Sequence, residues 1–328
     1  MLKTKPFVWI LDDEFKEHKI EFDRYEKAGY DYKVTRSNEL EEDTKKYAKI
    51  ADGVVAQIGF LCGKDLINQL EVCKVIAISG VGYNHVDLET ATKKGIYVSN
   101  VPDYCVDEVT DHTIAMLMYW ARRLPYFHES VIKDKKWEPL FISDIRNLRT
   151  STVGLLGFGR MARTVAKKLL PFGTKIIAHD SYVDRKEFDE LGVESVSLDK
   201  LLSNSHFLSL HVPLTDKTEN LLNKNNLKKM PKNSFIINTC RGGIINEPDL
   251  VELLEDGHIG GAALDVLEKE PPDFNNPLLY LNNVLITPHS AYNSIEALPS
   301  LKNITCDIVI EGIETKKLEK SLNGHLIN

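Results

Sequence analysis

Four ionisable side chains in the second half of the chain are of types that bind an anion and transfer a proton. Arg241 ends an apolar run and is followed by two glycines. Asp265 ends the next run, Glu270 lies in the loop beyond it, and His289 follows a third run. A guanidinium pairs with a carboxylate through two parallel hydrogen bonds, and an imidazole exchanges a proton near neutral pH. Each residue alone also fits a simpler interpretation, such as an exposed charge in a tight turn.

Their joint placement favours a site. The three apolar runs that precede these residues predict successive parallel strands, and parallel strands end at the same edge of a sheet. We therefore expect Arg241, Asp265, Glu270 and His289 to lie together at one sheet edge.

A glycine-rich turn earlier in the chain predicts a dinucleotide site at that same edge. Gly157 ends the apolar run TVGLLG, and Gly159 and Ala162 follow at the start of a helical stretch that Gly173 can end. This context of strand, glycines and helix is typical of a turn that binds pyrophosphate. Asp180 closes the next predicted strand, where its carboxylate can accept hydrogen bonds from a ribose and would repel a 2′-phosphate. NAD is thus favoured over NADP.

Together these residues suit hydride transfer between NAD(H) and a 2-keto acid. Arg241 would bind the substrate carboxylate and polarise the carbonyl, while His289 would donate a proton to its oxygen. Glu270 would orient the imidazole and favour its charged form. Asp265 is better placed for the nicotinamide carboxamide than for proton transfer.

The elements that must position these residues alternate between strand and helix. The first hundred residues contain the runs PFVWILDD, DYKVT, GVVAQ, VIAIS and YVSN, with helical stretches such as 17–28 and 87–94 between them. Further on come TVGLLG, KIIAHD, FLSLHV, SFIINT, GGAALDV and VLITP. This alternation predicts an α/β protein with two doubly wound parallel sheets. The residues after about 291 are helical in pattern and must pack on one of them.

A nearly continuous apolar stretch, VTDHTIAMLMYWARRL, separates the two series of strands. A helix that is apolar on all sides is buried, either between domains or between subunits.

Composition excludes several other classes of protein. A chain of 328 residues predicts two domains, and its net charge of −7 argues against a nucleic-acid-binding surface. The apolar run near the start is too short for a signal peptide, and no run reaches the roughly 20 residues that span a bilayer. Neither a metal site nor a disulfide framework is predicted, and a cytoplasmic location is favoured, because five cysteines occur without a CxxC pair: Cys62, Cys73, Cys105, Cys240 and Cys306.

Seven segments, in this order, resemble the D-isomer-specific 2-hydroxyacid dehydrogenases over nearly the whole chain. They are SGVGYNHVD, VPDYCVDEVTDHTIAMLMYWARR, GLLGFGRMA, LHVPLTDKTENLLN, INTCRGGIINE, GAALDVLEKEPP and TPHSA. The resemblance implies that Arg241, Glu270 and His289 are catalytic. It also implies that NAD is bound by the glycine turn (Gly157, Gly159, Arg160 and Met161) and by Asp180, Val212, Thr239, Cys240 and Asp265.

The same resemblance implies a discontinuous architecture. Residues 1–100 and 292–328 would form a flavodoxin-like substrate domain, and residues 101–291 a Rossmann NAD-binding domain, with the substrate cleft between them. The backbone amides of Val81 and Gly82 would meet the substrate carboxylate. The apolar helix after Val109 resembles the region through which the family dimerises, so a homodimer is expected.

The stretch DGVVAQIGF bears on the substrate. It resembles the segment where phosphoglycerate dehydrogenases place an Arg and a Ser against a phosphate, yet it carries Gln57 and Ile58. With Phe60, Ile58 would give a pocket apolar walls, which predicts a short, unphosphorylated 2-keto acid; alternatively, Phe60 packs inside the sheet. Tyr104 resembles a substrate-facing tyrosine of D-lactate dehydrogenases, or else packs at a domain hinge.

Two alternatives remain open at this point. The C-terminal-binding co-repressors resemble this family and retain the Arg, Glu and His, so these residues do not separate a nucleotide sensor from an enzyme. Among enzymes, 3-phosphoglycerate and glyoxylate or hydroxypyruvate are the rival substrates.

Overall fold

The computed structural model describes residues 5–139 and 145–327, which divide into two compact units. Unit 1 comprises Met1–Cys105 and Ser294–Asn328, and unit 2 comprises Val106–Asn293. The domain boundaries predicted from the sequence lie after residues 100 and 291.

Unit 1 contains a five-stranded parallel sheet in the order β2-β1-β3-β4-β5 within the described residues. Its strands are β1 (Phe7–Leu11), β2 (Asp31–Thr35), β3 (Gly53–Gln57), β4 (Val75–Ser79) and β5 (Tyr97–Ser99). The helices between them are α1 (Lys19–Ala28), α2 (Leu40–Tyr47), α3 (Lys64–Gln69) and α4 (Leu88–Lys93). All five strands coincide with the apolar runs of the sequence.

Local capping explains where α4 begins and ends. The Asp87 side chain accepts a hydrogen bond from the backbone N–H of Thr90 at 2.8 Å, which satisfies one of the unpaired donors of the first turn. Gly95 follows the helix with a φ of 70°, a left-handed conformation that glycine adopts without steric cost.

Unit 2 contains a seven-stranded parallel sheet in the order β12-β11-β10-β9-β6-β7-β8, again among the described residues. The strands are β6 (Thr152–Leu156), β7 (Lys175–His179), β8 (Glu194–Ser195), β9 (Phe207–Leu210), β10 (Ser234–Asn238), β11 (Ile259–Leu264) and β12 (Val284–Ile286). The helices are α5 (Val106–Ala121), α6 (Leu124–Ile132), α7 (Arg160–Leu169), α8 (Arg185–Asp189), α9 (Leu198–Asn204), α10 (Lys224–Leu227) and α11 (Glu247–Glu255). Strand β8 has no apolar signal, because its two residues are exposed at the sheet edge.

Helix α5 is buried on one side within unit 2, and burial of its other side, between domains or between subunits, stays a prediction. Asp111 and Ala115 are exposed. Trp120 marks the buried side, where its ring stacks on Phe235 of β10 and its indole N–H donates to the backbone oxygen of Ala262 at 3.1 Å. These contacts fix α5 against the sheet that carries the predicted catalytic residues.

The last helix, α12 (Ala297–Thr315), packs on the sheet of unit 1. A Cβ atom on Gly312 would lie 2.6 Å from Cβ of Val75 in β4, and one on Gly53 of β3 would lie 2.9 Å from Val309. Glycine at these two positions therefore permits close contact between α12 and the sheet. Within the ranges described, even this 19-residue helix lacks the apolar length needed to cross a bilayer.

Candidate active site

His289 and Glu270 form a hydrogen-bonded pair in unit 2. Nδ1 of the imidazole lies 2.6 Å from Oε2 of the carboxylate, and the other carboxylate oxygen accepts a hydrogen bond from the backbone N–H of Leu267 at 2.9 Å. An ionised carboxylate only accepts hydrogen bonds, so Nδ1 carries the proton of this contact. The opposite ring nitrogen, Nε2, is thereby left to exchange a proton with a ligand.

Glu270 is held in its ionised form near neutral pH. Burial tends to raise the pKa of this carboxyl group, whereas the hydrogen bond and charge of His289 lower it. The Leu267 amide and the Arg241 guanidinium act in the same direction, and the pKa lies below its ordinary value of 4.5. The charge of Arg241 therefore acts on the pair, as the sequence analysis expects of residues at one sheet edge.

Arg241 follows β10 and lies in a turn that Asn238 closes. The side-chain oxygen of Asn238 accepts from the backbone N–H of Cys240 at 3.1 Å, and its amide nitrogen donates to the backbone oxygen of Arg241 at 2.9 Å. Asn238 is fully buried. This asparagine was missed from the sequence, where its one signal was a polar residue at the end of an apolar run.

The position after Arg241 has no room for a side chain, which is why glycine occupies it. A Cβ atom here would lie 1.9 Å from the carbonyl carbon of Leu267 and 2.3 Å from the backbone nitrogen of Glu268. The loop that carries Glu270 thus runs directly over Gly242, an approach that only glycine permits. This contact brings the loop of Glu270 to the turn of Arg241.

Asp265 anchors the turn that carries His289. Its carboxylate is buried and accepts hydrogen bonds from the Thr287 hydroxyl at 2.5 Å, from the Ser290 backbone N–H at 2.9 Å and from the Ala291 backbone N–H at 3.0 Å. The sequence predicts this carboxylate near a nicotinamide carboxamide, and that role stays a prediction.

The glycine turn follows β6 as the sequence predicts. Gly157 has a φ of 94°, and a Cβ atom there would lie 2.6 Å from the backbone oxygen of His211 and 2.9 Å from the Val212 side chain. A Cβ atom on Gly159 would meet only open space, and α7 begins at the next residue, Arg160. The turn thus presents a backbone without side chains at the start of a helix, which suits a pyrophosphate.

Asp180 ties this turn to the end of β7. One carboxylate oxygen accepts from the Phe158 backbone N–H at 2.8 Å, and the other accepts from the Tyr182 backbone N–H at 2.8 Å. The carboxylate is partly exposed. Its position after the second strand of the unit is the one from which a ribose is bound in dinucleotide folds.

The other residues predicted to bind the dinucleotide follow strands at the same sheet edge. Met161 is the second residue of α7, Val212 follows β9, and Thr239 and Cys240 follow β10. The hydroxyl of Thr239 lies 2.9 Å from that of Thr113 in α5. Desolvation, partly offset by the neighbouring Arg241, raises the pKa of the Cys240 thiol to about 11. These residues fit a dinucleotide that crosses the sheet between β6 and β9, where the strand order reverses.

The predicted substrate-binding residues belong to unit 1. Val81 and Gly82 follow β4, where the backbone oxygen of Val81 accepts from the Asn100 side chain at 2.6 Å. Tyr104 is partly exposed and lies next to the end of the first segment of unit 1.

Much of the stretch DGVVAQIGF, which bears on the substrate, is buried inside unit 1. Gln57 is buried, donates from its amide nitrogen to the carboxylate of Glu14, and accepts from the backbone N–H of Gly59 at 2.7 Å. Phe60 is 1% exposed and lies in the core of unit 1. The prediction that Phe60 forms a pocket wall is therefore wrong, and the alternative that it packs inside the sheet is confirmed. Ile58 lies against Gly80, at the carboxyl end of β4.

Comparison of the sequence with known proteins identifies a family and several relatives. Residues 114–291 match the family model described as "D-isomer specific 2-hydroxyacid dehydrogenase, NAD binding domain". The chain is 37% identical over 241 residues to the glyoxylate reductase of Korarchaeum cryptofilum, which covers 72% of each protein. It is 36% identical over 283 residues to the D-3-phosphoglycerate dehydrogenase of Methanocaldococcus jannaschii, covering 86% of this chain and 53% of that protein.

A solved structure of a D-lactate dehydrogenase is also similar to this chain. The D-lactate dehydrogenase of Aquifex aeolicus, complexed with NAD and lactic acid, superposes with a TM-score of 0.85 and 28% identity, covering 94% of this chain and 96% of that one. The D-3-phosphoglycerate dehydrogenases of Methanocaldococcus jannaschii and Archaeoglobus fulgidus are longer proteins, of which this chain spans 53% and 59%.

Proposed function

The chain belongs to the D-isomer-specific 2-hydroxyacid dehydrogenase family, and we propose that it reduces a small 2-keto acid to the D-2-hydroxy acid with NADH, or catalyses the reverse. The observation that carries this proposal is the pair formed by His289 and Glu270, 2.6 Å apart, in the same unit as Arg241 and the glycine turn. The cofactor of this domain is NAD.

The residues of the chain divide the chemistry between them. Bound NADH would supply the hydride. Arg241 pairs with the substrate carboxylate and polarises the keto group, and Nε2 of His289 gives its proton to the keto oxygen. Glu270 holds Nδ1 and balances the charge of the protonated ring. The backbone amides of Val81 and Gly82 are the second group proposed for the substrate carboxylate, and Tyr104 is proposed beside the substrate.

The test is NADH consumption with a panel of 2-keto acids. Pyruvate, 2-ketoisocaproate, phenylpyruvate, glyoxylate and hydroxypyruvate are compared at equal NADH, with chiral analysis of the product. His325→Ala, a change at an exposed histidine of unit 1, serves as the control variant. Tight NADH binding without turnover of any acid would contradict the proposal and favour a nucleotide sensor like the co-repressors.

Preference for NAD over NADP rests on Asp180. Its carboxylate is held by two backbone amides, so a 2′-phosphate would meet a fixed negative charge. We expect kcat/KM with NADH to exceed that with NADPH, and Asp180→Ala to reduce the ratio. Equal use of the two nucleotides by the wild-type protein would contradict this assignment.

The substrate is proposed to carry no phosphate. Gln57 holds the carboxylate of Glu14 at the carboxyl edge of the unit 1 sheet, so a negative charge lies beside the stretch that resembles a phosphate site. Hydroxypyruvate and 3-phosphohydroxypyruvate differ only in the phosphate and form a matched pair. We expect at least about 10-fold higher kcat/KM for hydroxypyruvate, and Glu14→Gln should narrow this difference by relieving charge repulsion. The opposite preference would show that the acid is phosphorylated.

A homodimer in the cytoplasm is the remaining part of the proposal. Leu124, Val131 and Ile132 of α6 expose apolar side chains, with Leu124 and Ile132 each 55% exposed, and such a face suits a contact with a second copy. Cys62, Cys73, Cys240 and Cys306 form no disulfide within the described residues, which suits a reducing compartment. Light scattering after gel filtration measures the mass, and cell fractionation measures the location; a monomer or an exported protein would contradict these points.

A further inference from the structure

A third side chain reaches the carboxylate that anchors the turn of His289. Nε2 of His112, on α5, lies 3.1 Å from the hydroxyl oxygen of Thr287, and that hydroxyl donates to Oδ1 of Asp265 at 2.5 Å. The direct distance from His112 Nε2 to the same carboxylate oxygen is 3.8 Å. The hydroxyl of Thr287 therefore links the histidine to the aspartate.

The direction of this hydrogen-bond chain follows from its donors. A threonine hydroxyl has one proton, and the carboxylate of Asp265 can only accept it. The hydroxyl oxygen must then accept from His112, so the ring proton lies on Nε2. His112 thus donates to Thr287, which donates to Asp265, and this order fixes the orientation of the carboxylate.

The oriented carboxylate acts on the backbone around His289. Its two oxygens accept the backbone N–H groups of Ser290 and Ala291, and the backbone N–H of His289 itself donates to the backbone oxygen of Asp265 at 2.8 Å. His289 has a φ of 49°, a left-handed conformation that a residue with a side chain rarely adopts. These bonds hold the turn in that conformation, which aims the imidazole at Glu270.

We propose that His112 and Thr287 are positioning residues for His289. They orient Asp265, which in turn fixes the 287–291 turn and the angle at which the imidazole meets its substrate. Neither side chain needs to touch substrate or cofactor. The inference rests on the proposed function for its effect on turnover, but the effect on the turn is a property of the protein alone.

A purely structural role for His112 would be to attach α5 to the sheet. That attachment already has other contacts, because Met116, Leu117 and Trp120 lie in the core of unit 2. The His112 side chain is 26% exposed, so it contributes less burial than these residues. We therefore expect removal of the His112 side chain to lower turnover more than it lowers thermal stability.

The activity test uses four single variants and one double variant. Thr287→Val keeps the shape and removes the hydroxyl, whereas Thr287→Ser keeps the hydroxyl. His112→Ala removes the donor, whereas His112→Gln replaces it with an amide N–H of similar reach. We expect Thr287→Val and His112→Ala each to lower kcat by about 10-fold or more with KM for NADH changed less than about twofold, and the Ser and Gln variants to recover most of the loss.

The double variant His112→Ala/Thr287→Val tests whether the two residues act in one chain. If they do, its kcat should be close to that of the worse single variant, because the second change removes nothing further. Multiplicative losses would show independent effects and would contradict the proposal. So would wild-type kcat in both single variants, or a loss of thermal stability with kcat unchanged.

Hydrogen exchange gives a readout that does not depend on turnover. In Thr287→Val we expect faster exchange of the Ser290 and Ala291 amides, measured by mass spectrometry on a peptide spanning 287–293, with unchanged exchange in β10. Unchanged protection of those two amides would overturn the proposal. His325→Ala is the control, and exchange like that of wild type is expected there. If the wild-type protein turns over no keto acid, the proposed function fails, while the exchange result still decides the role of Thr287.

Discussion

A Cβ atom on Gly242 would lie 1.9 Å from the carbonyl carbon of Leu267, so the turn after Arg241 and the loop before Glu270 touch through backbone atoms. This contact links Arg241, proposed to bind the substrate carboxylate, to Glu270, the partner of the histidine proposed as the acid and base.

Gly242→Ala should therefore displace the Glu270 loop. Because the clash is with backbone, we expect a loss of about 1–3 kcal/mol in the free energy of unfolding and a larger fractional loss of kcat/KM than of NADH affinity. Gly243→Ala is the matched control, since its Cβ would meet the end of the Leu214 side chain at 3.2 Å, which can move. Equal effects of the two substitutions would contradict the role given to this contact.

Arg241 should matter for its geometry more than for its charge. Arg241→Lys keeps the positive charge but loses the planar fork that binds a carboxylate through two hydrogen bonds. We expect kcat/KM for the keto acid to fall on the order of 10²-fold, mostly through KM, while NADH affinity changes little. Steady-state kinetics and NADH fluorescence titration measure the two quantities. A lysine variant with wild-type kcat/KM would remove the bidentate contact from the mechanism.

Most of the fold could be predicted from the sequence because its strands carry unusually clear signals. Parallel strands buried on both faces appear as short continuous apolar runs, and eleven of these runs coincide with strands of the structure. The glycine turn was found from its motif between a strand and a helix. Arg241, Asp265 and His289, which follow β10, β11 and β12, were found because parallel strands end at one sheet edge. The two-residue strand β8 was missed because Glu194 and Ser195 have no apolar pattern.

What the sequence could not supply is the direction of side chains inside the site. Asp265 ends a strand in the expected place, but its partners, among them Thr287 and Ala291, depend on how the chain returns after β12. Gln57 ends β3 and Phe60 follows it, so both looked like pocket residues, yet both are buried. An apolar residue just beyond a strand gives the same pattern whether it faces a cleft or the core.

Four of the five cysteines should be unreactive in the native protein. Burial raises the pKa of the Cys62 and Cys73 thiols to about 12 and those of Cys240 and Cys306 to about 11. At pH 8 a thiol of pKa 11 is ionised in about one molecule in a thousand, and the thiolate is the reactive form. Iodoacetamide labelling followed by mass spectrometry should therefore be far slower in native protein than in urea. Rapid labelling of Cys240 in the native protein would contradict the raised pKa.

His289→Gln should remove the proton donor and leave binding largely intact. Glutamine keeps a hydrogen-bonding side chain but cannot exchange a proton near neutral pH, so we expect kcat to fall on the order of 10²–10⁴-fold. Affinity for NADH should change less than about twofold, as measured by fluorescence titration. A loss of nucleotide binding equal to the loss of kcat would instead place His289 among the cofactor-binding residues.

Glu270→Gln should change how stability depends on pH. The pKa of Glu270 is lowered below 4.5 in the folded protein, chiefly by His289 acting against burial, so its contribution is present above that value and is lost as the pH falls through the folded pKa. The gap in unfolding free energy between wild type and Glu270→Gln should therefore be largest near pH 5 and shrink towards pH 3. Urea unfolding at a series of pH values measures it, and Glu268→Gln, a change in the same loop, is the control. A gap that is constant from pH 5 to pH 3, or that widens in acid, would mean that the ionised carboxylate of Glu270 is not stabilised by its pair with His289.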